Sequence, residues 1–246
     1  MSERFEDRFR DDPEILRRTP WTLIGAAQRG DSGAFEKAVE RIYAMFQGAV
    51  HGFLRARGLS AEEARDLAQE FFATLLERKF LDRLDPAKGR LRPFLFASLK
   101  RFLCDAVDKR DAQKRRPAAK LLSLDGLEGP GEPSSGPDRQ FARMWAAEVL
   151  RRGLERMRRR CEGTPQEAWY RALILWHAVG AEAPASGHAD LGARLGASAQ
   201  QAANYLFRGR ALLRELLLEE LSGYCATGDE LQAEISELFE ALGRAS

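Results

Sequence analysis

Cysteine is scarce in this chain. Cys104, Cys161 and Cys225 are odd in number and far apart, and no Cys-x-x-Cys pair occurs. That spacing argues against a disulfide framework or a zinc knuckle and for reduced thiols in a cytoplasmic protein. Histidine is equally sparse: His51, His177 and His188 show no metal-binding spacing. There is no Gly-rich phosphate loop and no Gly-x-Ser-x-Gly, so no catalytic residue, metal or cofactor is expected and the chain does not read as an enzyme. No apolar run approaches the ~20 residues that span a bilayer. The opening Met1–Arg8 stretch is too charged for a secretory leader. A large charge of one sign is also missing: the formal net charge is +2. Charged residues nevertheless make up 31%, above the usual ~25%, so any electrostatic function has to come from local clustering. The 246 residues, 44% of them hydrophobic, suffice for a real core in one or two domains.

What the sequence does contain is helical periodicity. Phe35, Val39, Ile42, Phe46, Val50 and Phe53 recur every three or four residues as one face of an amphipathic helix that ends near Gly58. Ser60-Ala-Glu-Glu63 then reads as a capping box. Ala64, Leu67, Phe71 and Leu75 form the buried stripe that follows. The other face carries Glu62, Asp66, Gln69, Glu70 and Glu77, bordered by Phe72. It reads either as a solvated face or as a docking surface for a basic helical partner.

Asp85-Pro86 and Lys88-Gly89 mark a turn, and Pro93 suits the first turn of a further helix. Leu95, Leu99, Phe102 or Leu103, Ala106 and Val107 give it an apolar stripe. From Lys100 onward the exposed positions turn basic: Lys100, Arg101, Lys109, Arg110, Lys114, Arg115 and Arg116. Such a helix reaches roughly 35 Å, so its first half can pack in a bundle while its second half meets a phosphate backbone. The plainer alternative is a solubilising helix end whose cations offset the C-terminal dipole.

Between Pro117 and Gln140 the chain turns acidic, rich in Pro, Gly and Ser, and aperiodic, as expected of a flexible linker. Phe141, Trp145, Val149, Leu150 and Leu154 then open a second domain, and "RRGLERMRRR" forms a second basic cluster. Trp169, Leu173, Trp176 and Val179 suggest another helix, with core residues at that spacing. Residues 188 to 217, "HADLGARLGASAQQAANYLFRGRALLRELL", read as a helix-turn-helix. Leu191 and Leu195 mark the short helix, Gly196 the turn and Ser198 the N-cap. In the longer helix Ala202, Leu206, Leu213 and Leu217 face inward. Gln200, Gln201 and Asn204 point outward, where amides can pair with adenine in a major groove. Arg208, Arg210 and Arg214 sit further along, where phosphates would be met; Ser198 joins this DNA-binding set at the helix start. Packing alone would also explain an Ala-rich helical hairpin. After Thr227-Gly-Asp-Glu230, another capping box, Leu231, Ile235, Leu238 and Leu242 form a last stripe. Asp229, Glu230, Glu234, Glu237 and Glu240 are expected outside it, on a helix that covers part of the second domain and tempers DNA binding.

Three stretches, in this order, carry a family likeness. They are "ARDLAQEFFATLLERKFLDRLDPAKGRLRPFLFASLKRFLCDAVDKRDAQKRR", "PDRQFARMWAAEVLRRGLERMRRR" and "ADLGARLGASAQQAANYLFRGRALLRELLLEEL". The chain resembles the bacterial RNA polymerase sigma factors of the extracytoplasmic-function type, in the sigma-70 family. It is most similar to a subgroup with a long second domain and a C-terminal helical extension. The likeness covers most of residues 21 to 243 and is most specific in the first stretch.

The resemblance implies an all-α protein of two helical domains, a sigma domain 2 bundle and a sigma domain 4 helix-turn-helix, joined by a flexible linker. The expected order is a leader (1–20), sigma domain 2 (21–116), linker (117–140), sigma domain 4 (141–222) and an acidic C-terminal helix (223–246). It implies core RNA polymerase as partner, docked through its clamp helices on Asp66, Gln69 and Glu70, with Phe72 at the rim. Promoter DNA, double- and single-stranded, is the second partner, and an anti-sigma factor is compatible with the family. Lys100, Arg101, Lys109 and Arg110, with Lys114–Arg116 beyond them, fall beside the element near minus ten, where flipped bases are held. Gln200, Gln201, Asn204 and Arg208 would read the element near minus thirty-five, and the linker would thread toward the RNA exit path. The sequence departs from the pattern at Ala203, where the family often has Lys, at Phe207, where the subgroup usually has His, and at Ala202, which replaces a larger aliphatic residue. Losing one cation removes one phosphate contact.

Two rival readings remain. A stand-alone helix-turn-helix regulator would usually bind a palindrome as a dimer, and leaves the acidic face at Glu62–Glu77 unused. A structural helical adaptor would show no salt-dependent DNA affinity. A nuclease has less support, for want of a metal-binding carboxylate cluster.

Overall fold

The computed structural model describes residues 20–75, 84–85, 90–113, 136–178 and 187–243, among which it has nine α-helices and no strand. The protein is all-α. The helices are α1 (Pro20–Gln28), α2 (Ser32–Ala56), α3 (Ala61–Leu75), α4 (Leu91–Gln113), α5 (Pro137–Cys161), α6 (Glu167–Ala178), α7 (His188–Leu195), α8 (Ala199–Ser222) and α9 (Gly228–Gly243). They fall into two compact units. One holds the residues up to Glu148 and those from Leu221 onward; the other is Val149–Glu220.

Local chemistry sets the helix ends of the first unit. The Asp31 carboxylate caps α2 by accepting from the Ala34 N–H at 3.0 Å. Ser60 and Glu63 form the capping box of α3: the Ser60 N–H donates to Glu63 at 2.9 Å and the Glu63 N–H to the Ser60 hydroxyl at 3.2 Å. The stripes follow the helical period. Ile42, Phe46, Val50 and Phe53 of α2, Leu67, Phe71 and Leu75 of α3, and Leu95, Leu99 and Leu103 of α4 are all buried. Aromatic edges lock the bundle. Phe71 meets Phe102 at 5.6 Å, and Phe53 lies edge-on to Phe96 at 5.4 Å.

The sequence pattern assigns Phe141 and Trp145 to the second apolar core. Instead Phe141 stacks on Phe96 at 4.4 Å and meets Phe53 at 5.8 Å, because α5 brings its first turns to the α2–α4 bundle. The helix also begins at Pro137, so residues 137–140 are helical rather than linker. Residues 114–135, with the rest of that linker, lie outside the described residues, as do residues 1–19, Glu77, Lys88, Gly89 and Val179.

The last helix corrects a second expectation. Leu231, Ile235 and Leu238 are buried as its stripe predicts, but Glu230 and Glu234 are buried too. The acids reach the start of α4 within the first unit. The second unit has its own core: Met157, Cys161, Ala172, Leu173, Leu191, Ala202, Leu206, Leu212 and Leu216. Leu212 and Leu216 take the central places on α8 along with Leu217, while Leu213 is only partly covered.

Candidate polymerase and nucleic-acid interfaces

On α3 the sequence expectation and the structure agree at four polar positions. Glu62, Asp66, Gln69 and Glu70 are exposed, with Arg65 at the edge of the face. Phe72 does not join them. It is 4% exposed, packed against Phe71 and edge-on to Tyr43 at 4.9 Å. The exposed ring at this place is Tyr43 of α2, 37% exposed and in contact with Phe72, a residue that the sequence reading missed. The available signal was its place one residue after buried Ile42, beside the α2 stripe.

The basic run of α4 is only partly displayed. Lys100 is half-buried, with its ammonium 3.1 Å from Asp138 and 4.9 Å from the centre of the Phe96 ring. It fixes the start of α5 and is not the free cation that the sequence suggests. Arg101 is exposed. Lys109 and Arg110 lie on the helical backbone of α4, but their side chains are outside the described residues, as are Lys114, Arg115 and Arg116 entirely.

The N-terminus of α4 carries a charge network that the sequence reading also missed. Arg92 is 5% exposed and Glu234 is fully buried. The Arg92 Nε donates to Glu234 at 2.6 Å, and its Nη2 donates to Glu237. Arg90 bridges Glu234 at 3.0 Å and Glu237 at 2.5 Å. The Tyr224 hydroxyl donates to Glu234 at 2.9 Å, and the Arg92 guanidinium lies 4.3 Å from the Trp145 ring centre. Burial alone would lower the Arg92 pKa, but Glu234 holds it above its ordinary value. Burial raises Tyr224 well above the usual phenol value, with the Glu234 charge adding to it. Glu230 accepts from the Ala226 N–H at 2.5 Å and the Leu91 N–H at 3.4 Å, and burial raises its pKa. The charges of Glu230, Glu234 and Glu237 are thus spent on the start of α4 and on the turn before α9.

In the second unit, α7 and α8 form the helix-turn-helix that the sequence predicts. Gly196 sits at φ 67°, where a side chain is disfavoured. A Cβ on Gly192 would lie 2.6 Å from the Ala197 carbonyl oxygen, so the turn closes on bare backbone. Ser198 caps α8 reciprocally: its N–H donates to the Gln201 side chain at 2.9 Å, and the Gln201 N–H donates to its hydroxyl at 3.2 Å. Gln201, expected as a base reader, therefore spends its carbonyl on the helix start. Gln200, Asn204, Arg208 and Arg210 are exposed. The Arg208 Nε donates to the Asn204 Oδ1 at 3.2 Å, and its guanidinium lies 5.3 Å from the Trp169 ring centre. Arg210 lies 5.8 Å from that of Trp176. Arg214 is partly covered.

The second basic cluster, on α5, is largely neutralised. Arg156 pairs with Glu219 at 2.5 Å and Arg152 with Glu220 at 3.0 Å. Arg158 and Arg159 share Glu155 at 3.1 and 2.8 Å. Hydrogen bonds from Arg158 and then Arg159 bring the Glu155 carboxyl down to about 2. These arginines tie α5 to α8 and to their own helix. They are not the free cationic footprint that their density suggested.

Among the described residues no cluster of His, Cys, Asp and Glu could hold a metal, and no helix is long and apolar enough to cross a membrane. Residues 42–113, from within α2 to the end of α4, match the family model for Sigma-70 region 2. No curated protein and no solved structure matches the chain. The match supports a sigma factor of the sigma-70 family, with a role in RNA polymerase binding and promoter recognition.

Proposed function

We propose that the protein is a sigma factor of the extracytoplasmic-function type, directing core RNA polymerase to its promoters and helping to melt them. The match of residues 42–113 to region 2, over helices that expose an acidic face, is what carries this reading. Asp66, Gln69 and Glu70 dock on the clamp helices, with Tyr43 rather than Phe72 as the exposed ring. Arg101, Lys109 and Arg110, with Lys114–Arg116, lie beside the element near minus ten. Lys100 supports that surface from behind through Asp138. In the second unit α8 reads the element near minus thirty-five through Gln200 and Asn204, with Arg208 and Arg210 on phosphates. Melting energy comes from binding flipped bases and from phosphate contacts in the holoenzyme, so the protein works without covalent chemistry of its own. The cytoplasm is its place of action, and an anti-sigma factor is a compatible partner.

Reconstituted transcription tests this. Core polymerase with the protein should start at discrete sites on the DNA of its own cell, and core polymerase alone should not. The stand-alone regulator is favoured only by the α7–α8 geometry, which serves many DNA-binding proteins. It would give specific duplex binding with no new transcription starts.

A further inference from the structure

One large apolar side chain sits where the proposed base-reading surface should be polar. Phe207 is 65% exposed, more than any other large hydrophobic residue among those described. A lone exposed apolar residue needs no explanation, but this one is not at a random place. On a period of 3.6 residues, positions 200, 203, 204 and 207 share one face of α8. Gln200, Gln201, Ala203, Asn204 and Phe207 line one shallow depression on that face. It lies opposite buried Ala202 and Leu206, within the first three turns of the second helix of the motif.

The polar groups on this face are depleted. Gln201 has its carbonyl on the Ser198 N–H, and the Asn204 carbonyl accepts from Arg208. Among the described residues, Gln200 is the amide of this face with neither atom so engaged. Ala203 brings only a methyl group. In a major groove an apolar group has one discriminating target, the C5 methyl of thymine. Resting on the reading of α8 as the helix that enters the major groove, we propose that Phe207, flanked by Ala203, determines specificity by packing on thymine methyl groups. Phe207 is seven residues beyond Gln200. That is about 10 Å along the helix, or about three base steps, so the thymine contact lies about that far from the base read by Gln200.

The test uses the holoenzyme of core polymerase and full-length protein. The upstream element is first selected from a randomised promoter library. Each thymine in it is then replaced by deoxyuridine, which removes the methyl group and nothing else. Deoxyuridine at one or two adjacent positions should weaken wild-type binding about three- to fivefold, the effect of one buried methyl. The same replacement should leave Phe207→Ala unaffected, while Phe207→Leu keeps part of the sensitivity. Phe207 is exposed, so both variants should fold. Wild-type binding that is indifferent to every deoxyuridine, or an element without thymine, overturns the proposal while leaving the reading of α8 intact. The proposal also fails if Phe207→Ala binds more weakly than wild type but keeps its full deoxyuridine sensitivity. A holoenzyme that selects no upstream element overturns the reading of α8, and this proposal with it.

Discussion

Arg92 and Glu234 lie 142 positions apart in the chain and meet at 2.6 Å in a place that water barely reaches. Removing either partner leaves the other buried with only part of its network, Arg90 and Tyr224 for Glu234 or Glu237 for Arg92, against about 3–5 kcal/mol for a buried charge left wholly unpaired. Arg92→Ala and Glu234→Ala should each lower the unfolding free energy by up to that amount in urea titrations. The double variant Arg92→Met/Glu234→Leu, which removes both charges at similar volume, should recover most of the loss. A double variant as weak as the singles would mean that the pair is not the source of the stability.

The acids of α9 make its docking depend on pH with two opposite signs. Burial alone would raise the Glu237 carboxyl, but Arg92 and Arg90 hold it below its ordinary value. Its pairing therefore contributes in full above the ordinary carboxylate range and is lost as pH falls through the lowered value. Glu230 is raised by burial, so its charge opposes folding at neutral pH and its protonation on acidification relieves that opposition. Hydrogen exchange of the α9 amides, corrected for intrinsic rates, should show protection that first rises and then collapses as pH falls. In Glu230→Gln the rise should be absent.

Whether α9, docked on the start of α4, tempers DNA binding is open to a direct test. Removing residues 228–246 should raise DNA affinity severalfold in a binding titration. Glu237→Gln, which keeps the apolar stripe, should move it in the same direction by less. Unchanged or lowered affinity in both would leave α9 a packing element only.

The paired and exposed arginines should differ in their response to salt. Arg208 is exposed on α8, and Arg208→Ala should reduce the slope of log affinity against log salt by about one unit. Arg158 and Arg159 already answer to Glu155. Replacing both should change the slope by less than about half a unit. Equal slopes for the two variants would show that the ion pairs open to meet DNA.

The sequence made the helices legible because each carries its own stripe and its own cap, as Ser60–Glu63 and Ser198–Gln201 show. It did not make the pairing of distant segments legible. Glu230, Glu234 and Glu237 recur at four and three residues, as an inward stripe would, but acids at that spacing look solvated until a partner is known. Arg90 and Arg92 stand beside a predicted turn, with nothing to mark them as that partner. Phe141 and Trp145 group by pattern with the helix they begin, yet their rings belong with Phe53, Phe96 and Arg92. The same limit applies to charge. Lys100 and the arginines of α5 look free in the sequence because Asp138, Glu219 and Glu220 are remote from them along the chain.

The central claim is that the exposed acidic face of α3 holds the chain on RNA polymerase. Its most direct test is capture of the large polymerase subunits from the protein's own cell extract by the tagged wild type and by Asp66→Ala/Gln69→Ala/Glu70→Ala. All three positions are exposed, so the triple variant should remain folded. The account predicts that the wild type captures the polymerase and the variant does not. Equal capture by both, or none by the wild type while it binds duplex DNA with a steep salt slope, would contradict it.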